Sequence, residues 1–396
     1  MDNTLLAEIR TKPAHQQPQW DDRAQIQRVR HELWTRPPLV SVHELTALRA
    51  ILARVYQAQA QVLQLGDCAE DPAECTRDHI DRKLALQDQL AGTMRMNAHK
   101  PVVRVGRVAG QFGKPRSSHT ERIDGMELPV YRGHMVNGPD PDPEDRRPDP
   151  LRLLTGYMAA SDVMDHLGWR SPAEAFCVEP PLWTSHEALL LDYEVPMLRR
   201  DAQGQLMLAS THWPWIGERT RQVDGAHVAL LAKVVNPVAC KIGPNINSAE
   251  LLTLCERLDP AREPGRLTLI ARMGTEAVTE QLPPLVEAVR SAGHPVIWLS
   301  DPMHGNTVTT PSGLKTRFVE TITVEVQRFQ DAVGAAGGVP GGLHLEVTPK
   351  DVTECVLNAD HVEQVGERYA SFCDPRLSPG QARSVVSAWR NAEPCW

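Results

Sequence analysis

The sequence predicts an α/β protein built as a (β/α)8 TIM barrel with an N-terminal helical extension. Eight short apolar runs recur along the chain, each followed by a polar cluster. Helical patterns follow several of them, which is the signature of parallel β/α units, and eight such units favour a barrel. The chain, at 396 residues, is long enough to bury a substantial core. The runs are Gln61–Leu65, Pro101–Gly106, Leu182–Ser185, Thr211–Ile216, Pro237–Ile242, Arg266–Met273, Pro295–Ser300 and Gly342–Val347. Helical patterns cover Thr76–Leu90, His186–Arg199, Ala226–Val235, Glu276–Ala292 and Leu314–Val333. An open doubly wound sheet is the competing arrangement. It lacks the G-x-G-x-x-G that would open a helix, and Gly106-Arg-Val-Ala-Gly110 is only a superficial likeness.

Two helices are predicted ahead of the first run. One covers Asp21 to Trp34. The other starts at the capping box Ser41-Val-His-Glu44 and sets Leu45, Leu48, Ile51, Leu52 and Val55 on one face. The stretch NGPDPDPEDRRPDP, Asn137 to Pro150, is expected to form an extended surface loop within the barrel. The expected organisation is one barrel domain over residues 1–396, with 1–58 as its helical extension.

Composition narrows the function classes. The chain is 41% hydrophobic and 23% charged, with no apolar run near the roughly 18 residues that span a bilayer. MDNTLLAEIRTKP has neither a basic n-region nor an apolar h-region, so a cytoplasmic protein without membrane association is expected. A formal charge of −8 with no compensating basic run argues against nucleic-acid binding. Eight cysteines occur without a C-x-x-C pair, which argues against a zinc ribbon or a disulfide scaffold.

In a barrel of this kind the active site lies at the C-terminal ends of the strands, so the residues just past each run matter most. They fall into two chemical groups. Cys68, His304, Glu346 and Asp374 offer a thiolate, an imidazole and two carboxylates, a mixed set suited to Mn, Fe, Co or Zn. Arg107, Lys114, Arg116, Arg219, Lys241 and Arg272 are six cations in a net-acidic chain. Arginine's planar fork matches phosphate and carboxylate, and six cations suit two anionic substrates better than one. Taken singly, a cysteine is usually a small buried hydrophobe and an arginine a surface ion pair. Their joint occurrence at strand ends is what indicates a metal-dependent barrel enzyme acting on phosphorylated substrates.

The blocks GDCAE (66–70), GRVAGQFGKPRSS (106–118), SHEALLLDYE (185–194), WIGERTRQVDGAH (215–227), NPVACKIGP (236–244), RMG (272–274), SDPMHGNT (300–307), GLHLEVTPKDVTEC (342–355) and CDPRL (373–377) sharpen that reading. Together they resemble the class II 3-deoxy-D-arabino-heptulosonate 7-phosphate (DAHP) synthases over about residues 60–380. The resemblance implies condensation of phosphoenolpyruvate with erythrose 4-phosphate, giving DAHP and phosphate, with a divalent metal activating the aldehyde for attack by C3. It implies Cys68, His304, Glu346 and Asp374 as metal ligands, for Mn, Co or Fe, with Zn a further option. Arg107, Glu218 through its main chain, Arg219, Lys241 and Arg272 would hold phosphoenolpyruvate. Lys114, Arg116 and Ser117 would hold erythrose 4-phosphate. Lys241, Glu187 and Asp301 are the candidates for catalytic work on protons and water.

The short span between Ser118 and Ser185 resembles the short form found in phenazine and other secondary-metabolite clusters, which implies insensitivity to aromatic amino acids. A homo-oligomer is expected on the same ground. Leu65 stands where long-form relatives usually have a glycine. Cys373, beside Asp374, raises the hypothesis of a redox switch with Cys68. Cys75, Cys177, Cys240, Cys255, Cys355 and Cys395 are expected to serve packing or to face solvent. The alternatives left open are a related phosphosugar synthase, a metal-dependent phosphate-ester hydrolase and a non-catalytic metabolite-binding descendant.

Overall fold

The computed structural model describes residues 3–123, 125–170 and 182–390. Eight parallel strands close into a barrel: β1 (Gln61–Gly66), β2 (Val102–Arg107), β3 (Trp183–Glu187), β4 (Trp213–Ile216), β5 (Val238–Ile242), β6 (Leu267–Ala271), β7 (Ile297–Ser300) and β8 (Pro340–Glu346). Their order around the barrel is the order of the sequence, with β8 returning to β1. Each strand coincides with one of the eight apolar runs, so the predicted TIM barrel is the observed one. The runs read as continuous because strands β4, β5, β6 and β7 are buried throughout their length.

Close contacts divide the chain into two compact units, one of residues 1–45, 69–81 and 107–236, the other of residues 46–68, 82–106 and 237–396. In the second unit β1 pairs with β8, in a register that sets Gln64 opposite His344 and Gly66 opposite Glu346. Gln64 and His344 are fully buried and satisfy each other, His344 Nδ1 lying 2.7 Å from Gln64 Oε1. Because side chains alternate along a strand, Glu346 shares its face with His344. Helix Arg77–Ala98 covers β1 through Gln87, whose amide donates to the Leu63 carbonyl at 2.8 Å. Trp389 closes the strand's start by donating to Gln61 Oε1 at 2.8 Å.

Three helices precede β1: Asn3–Thr11, Arg23–Thr35 and Val42–Tyr56. The second is capped by Asp22, which accepts from the Gln25 N–H at 2.8 Å. The third carries the predicted capping box: Ser41 N–H donates to Glu44 Oε2 at 2.7 Å and Glu44 N–H to Ser41 Oγ at 3.4 Å. Leu45, Leu48, Leu52 and Val55 are buried on its predicted face. None of the helices searched is long and apolar enough to cross a membrane.

Three expectations need correction. His186–Arg199 is not a helix. His186 and Glu187 end β3, one turn spans Leu191–Glu194, and Leu198–Arg200 pairs with Leu206–Leu208 in a hairpin. The buried Glu194 sets this course, because it takes His186 Nε2 at 2.8 Å and Ser210 Oγ at 2.6 Å. The segment 137–150 is not extended. Arg146 gathers it by donating to the carbonyls of Pro139 at 2.7 Å and Asp140 at 2.8 Å, while Gly138 N–H donates to the Asp145 carbonyl at 2.7 Å. Finally, the helix expected from Leu314 starts at Val319, because Lys315–Thr316 pairs with Val308–Thr309 in a small hairpin.

Candidate active site

Cys68 lies two residues beyond β1, Glu346 is the last residue of β8, and Asp374 sits on the loop before helix Pro379–Ser387. One donor atom from each lies within 4.8 Å of those of the other two. Cys68 Sγ is 3.7 Å from Asp374 Oδ2. Cys68 and Glu346 are buried and Asp374 is half-buried. His304, past the end of β7, stands against one member of the group, with Nε2 3.2 Å from Glu346 Oε1. Of the four ligands implied by the sequence, three thus converge mutually and the fourth contacts Glu346.

The two carboxylates and the imidazole each have a charged partner. Arg317 binds Glu346 Oε2 at 2.7 Å, and both side chains are fully buried. Lys315 binds Asp374 Oδ1 at 2.9 Å. Asp301 sets both carboxylate oxygens on His304 Nδ1, at 2.9 and 2.8 Å, and Lys241 Nζ meets Asp301 Oδ2 at 2.8 Å. Burial alone would raise the Asp301 carboxyl, but the charges of His304 and Lys241 hold it well below the usual carboxylate range. Holding His304 through Nδ1 leaves Nε2 facing Glu346, an arrangement that would suit a metal-binding histidine. A thiol and two carboxylates converging in a buried place fit a divalent cation, and the sulfur favours a borderline transition ion over Mg or Ca.

A second layer lies behind Cys68. Asp67 pairs with Lys83 at 2.8 Å and with Arg376 at 2.7 Å, and Arg376 also pairs with Glu354 at 2.8 Å. These residues, with Arg317 and Lys315, were not singled out from sequence. Asp67 and Arg376 sit inside the GDCAE and CDPRL blocks beside proposed ligands, and that adjacency was the available signal. Arg317 was hidden by the helix wrongly started at Leu314. Arg272, just past β6, donates to the His304 carbonyl at 3.3 Å.

The first unit holds the remaining candidates. Arg107, the last residue of β2, is buried with its guanidinium 5.4 Å from the Trp215 ring centre. The chain just past it is pinned by the Glu70 carboxylate, which accepts from the N–H groups of Ala109, Gly110 and Gln111 at 3.2, 3.0 and 2.8 Å. Glu187 ends β3 and its N–H donates to Gln111 Oε1 at 2.9 Å. Gly217 lets the Glu187 carboxylate lie close against the backbone, since a Cβ there would fall 2.0 Å from Glu187 Oε1 and push that side chain aside. Glu218 and Arg219 open a 3-10 turn after β4, and Glu218 takes Arg221 at 2.9 Å. Lys114 is buried, whereas Arg116 is half-buried against Glu121 at 3.2 Å. Ser117 and Arg219 are exposed.

Of the remaining cysteines, Cys75, Cys240, Cys255 and Cys355 are buried, as expected of packing residues. Burial pushes the Cys255 and Cys355 thiols up to about 12. Cys68 is buried and Cys373 half-buried. Cys177 and Cys395 lie outside the described residues.

The chain matches the model of the class-II DAHP synthetase family over residues 4–174 and 160–388. It is 58% identical to a probable phospho-2-dehydro-3-deoxyheptonate aldolase of Pseudomonas fluorescens, covering 98% of each chain. It is 41% identical to the phospho-2-dehydro-3-deoxyheptonate aldolase of Streptomyces coelicolor, covering 95% of this chain and 94% of the relative. A solved phospho-2-dehydro-3-deoxyheptonate aldolase from Francisella tularensis aligns with a TM-score of 0.53 at 14% identity, over 94% of this chain and 99% of that one, a likeness of fold.

Proposed function

The chain belongs to the class-II DAHP synthetase family, and from that premise we propose how it works as a DAHP synthase, the first enzyme of the shikimate pathway. It condenses phosphoenolpyruvate with erythrose 4-phosphate, giving DAHP and phosphate. The reading rests above all on the convergence of Cys68, Glu346 and Asp374 within 4.8 Å. With His304 these residues would hold a divalent ion, Mn, Co or Fe, with Zn a further candidate. Such an ion supplies Lewis acidity at the aldehyde oxygen of the sugar.

The chain's own residues do the rest. Arg107, the main chain of Glu218, Arg219, Lys241 and Arg272 bind phosphoenolpyruvate, and Lys114, Arg116 and Ser117 bind erythrose 4-phosphate. Held in this way, C3 of phosphoenolpyruvate forms a bond to the aldehyde carbon, whose oxygen takes up a proton. Water adds at C2, and the C2–O bond to phosphate breaks to leave the ketone and free phosphate. Lys241 and Glu187 move protons around these steps, and Asp301 helps to position water. Asp301 acts as a fixed acceptor, since His304 and Lys241 already engage its oxygens.

The finer reading is a short-form enzyme serving secondary metabolism, insensitive to phenylalanine, tyrosine and tryptophan, cytoplasmic and homo-oligomeric. The test is to strip metal with EDTA and follow phosphoenolpyruvate absorbance with erythrose 4-phosphate, before and after adding Mn or Co. Consumption that needs both sugar and metal supports the reading. Consumption by the EDTA-treated enzyme at the untreated rate overturns the metal assignment. Inhibition by any aromatic amino acid overturns the predicted insensitivity.

A further inference from the structure

Helix Val319–Ala335 buries a carboxylate that the chemistry above does not use. Glu325 is 1% exposed. Its Oε1 accepts from the Gly274 N–H at 3.0 Å, and its Oε2 accepts from the side-chain amide of Asn306. Further bonds fix the orientation of that amide. Asn306 Nδ2 also donates to the Pro302 carbonyl at 2.8 Å, while Oδ1 accepts from the Thr275 N–H at 3.3 Å and hydroxyl at 3.1 Å.

Glu325 therefore ties together two loops: Arg272-Met273-Gly274 after β6, and Asp301 to Thr307 after β7. Their backbones already touch. Gly274 has a φ of +86°, open to glycine at little cost, and a Cβ on Gly305 would fall 2.4 Å from the Gly274 nitrogen. Across the same contact Arg272 donates to the His304 carbonyl. Burial pushes the Glu325 carboxyl up to about 7, against the bonds from Asn306 and Gly274, with Asp301 adding to the rise and the Arg272 charge opposing it. A carboxylate kept in so unfavourable a place needs a compensating role.

We propose that Glu325 is a positioning residue whose two oxygens lock the Arg272 loop to the His304 loop, holding the phosphoenolpyruvate-binding guanidinium and the metal-binding imidazole in one register. The proposal rests on the assignment of Arg272 and His304 given above. Glu325→Gln presents an NH2 to one of two donors and so breaks half of the lock, whereas Glu325→Ala removes it. The double variant Glu325→Gln with Asn306→Asp exchanges carboxylate and amide: it pairs the new amide with the new carboxylate and keeps acceptors for Gly274 and Thr275, giving up only the bond to the Pro302 carbonyl.

The experiment measures KM for each substrate, kcat, Mn affinity by calorimetry on the apo-protein, and melting temperature. In the single variants the KM for phosphoenolpyruvate and the Kd for Mn should rise together by about 10-fold, the lower end of what outer-shell changes cost. KM for erythrose 4-phosphate should stay within about twofold, and the double variant should recover part of the loss, the bond to the Pro302 carbonyl being absent from it. Where Glu325→Ala does not fold, Glu325→Gln carries the test. An unchanged phosphoenolpyruvate KM and Mn Kd in a folded variant overturns the proposal, as does a fall in kcat alone. Arg272→Ala serves as the control. If it leaves the phosphoenolpyruvate KM unchanged, the assignment of Arg272 fails. If it raises that KM while the Glu325 variants do not, only the positioning role fails.

Discussion

The donor cluster of the second unit and the candidate anion-binding residues of the first differ in how firmly their side chains are held. Cys68, His304 and Glu346 stand at or just past strand ends, and the imidazole and carboxylate donors each have a charged partner behind them: Asp301, Arg317 or Lys315. In the first unit only Arg107 and Lys114 are buried, while Arg116 is half-buried and Ser117 and Arg219 are exposed on turns. A metal demands donor positions set to a fraction of an ångström, so its ligands need rigid supports. A phosphate accepts long, flexible cations from several directions, so its site tolerates turns. The contrast teaches that the candidate metal ligands are set by the fold, whereas the residues proposed to hold phosphate would depend on side-chain reach.

Substitutions should respect this contrast. The largest effect is expected at the cluster itself. Cys68→Ala or Glu346→Gln should weaken Mn binding by more than about 100-fold, beyond what outer-shell changes cost, as read by calorimetry. Retained Mn affinity in either variant would break the distinction. Next comes Arg107→Ala, the most rigid of the first-unit cations. It should raise the phosphoenolpyruvate KM on the order of 100-fold, equivalent to about 2–3 kcal/mol of charge-assisted bonding, with Mn affinity unaltered. Asp301→Asn frees His304 and Lys241 from their shared acceptor and should cost about 10-fold in Mn affinity. A loss confined to kcat would instead mark Asp301 as a proton carrier. Ser117→Ala, at the exposed end of the series, should change the erythrose 4-phosphate KM by only about threefold.

The smallest effect concerns stability. Glu325 carries a folded-state value of about 7 against an ordinary 4.5. The folded protein therefore binds that proton more tightly than the unfolded chain does. The stability this confers is complete below pH 4.5 and is lost as pH rises through about 7. Glu325→Gln should flatten that portion of a denaturation-midpoint series across this window, and an unchanged slope would show that Glu325 does not titrate there.

The same contrast explains what could be read from sequence. The eight strands were legible because a strand in a closed parallel barrel is buried on both faces and bounded by polar turns, leaving an apolar run such as Pro295–Ser300. Cys68, Glu346 and Asp374 were legible because motif and chemistry agreed on them. What escaped depends on long-range partners. The stretch from His186 to Arg199 has helical spacing, yet the buried bonds of Glu194 to His186 and Ser210 decide its path. Arg317 gains its importance only from Glu346, 29 residues further on, and nothing local to Arg317 announces that pairing.

The pairing of β1 with β8 carries a consequence for how the molecule is made. Gly66 and Glu346 are register partners, yet 280 residues of chain separate them. A growing polypeptide can hold Cys68 for most of its synthesis without a second donor from the last strand. Closing so long a loop costs entropy that only the completed seam repays, so the seam should form late. An ion held by Cys68, Glu346 and Asp374 would then find these donors together only in a finished barrel. Metal occupancy in this protein would therefore report on its maturity as well as its readiness for chemistry.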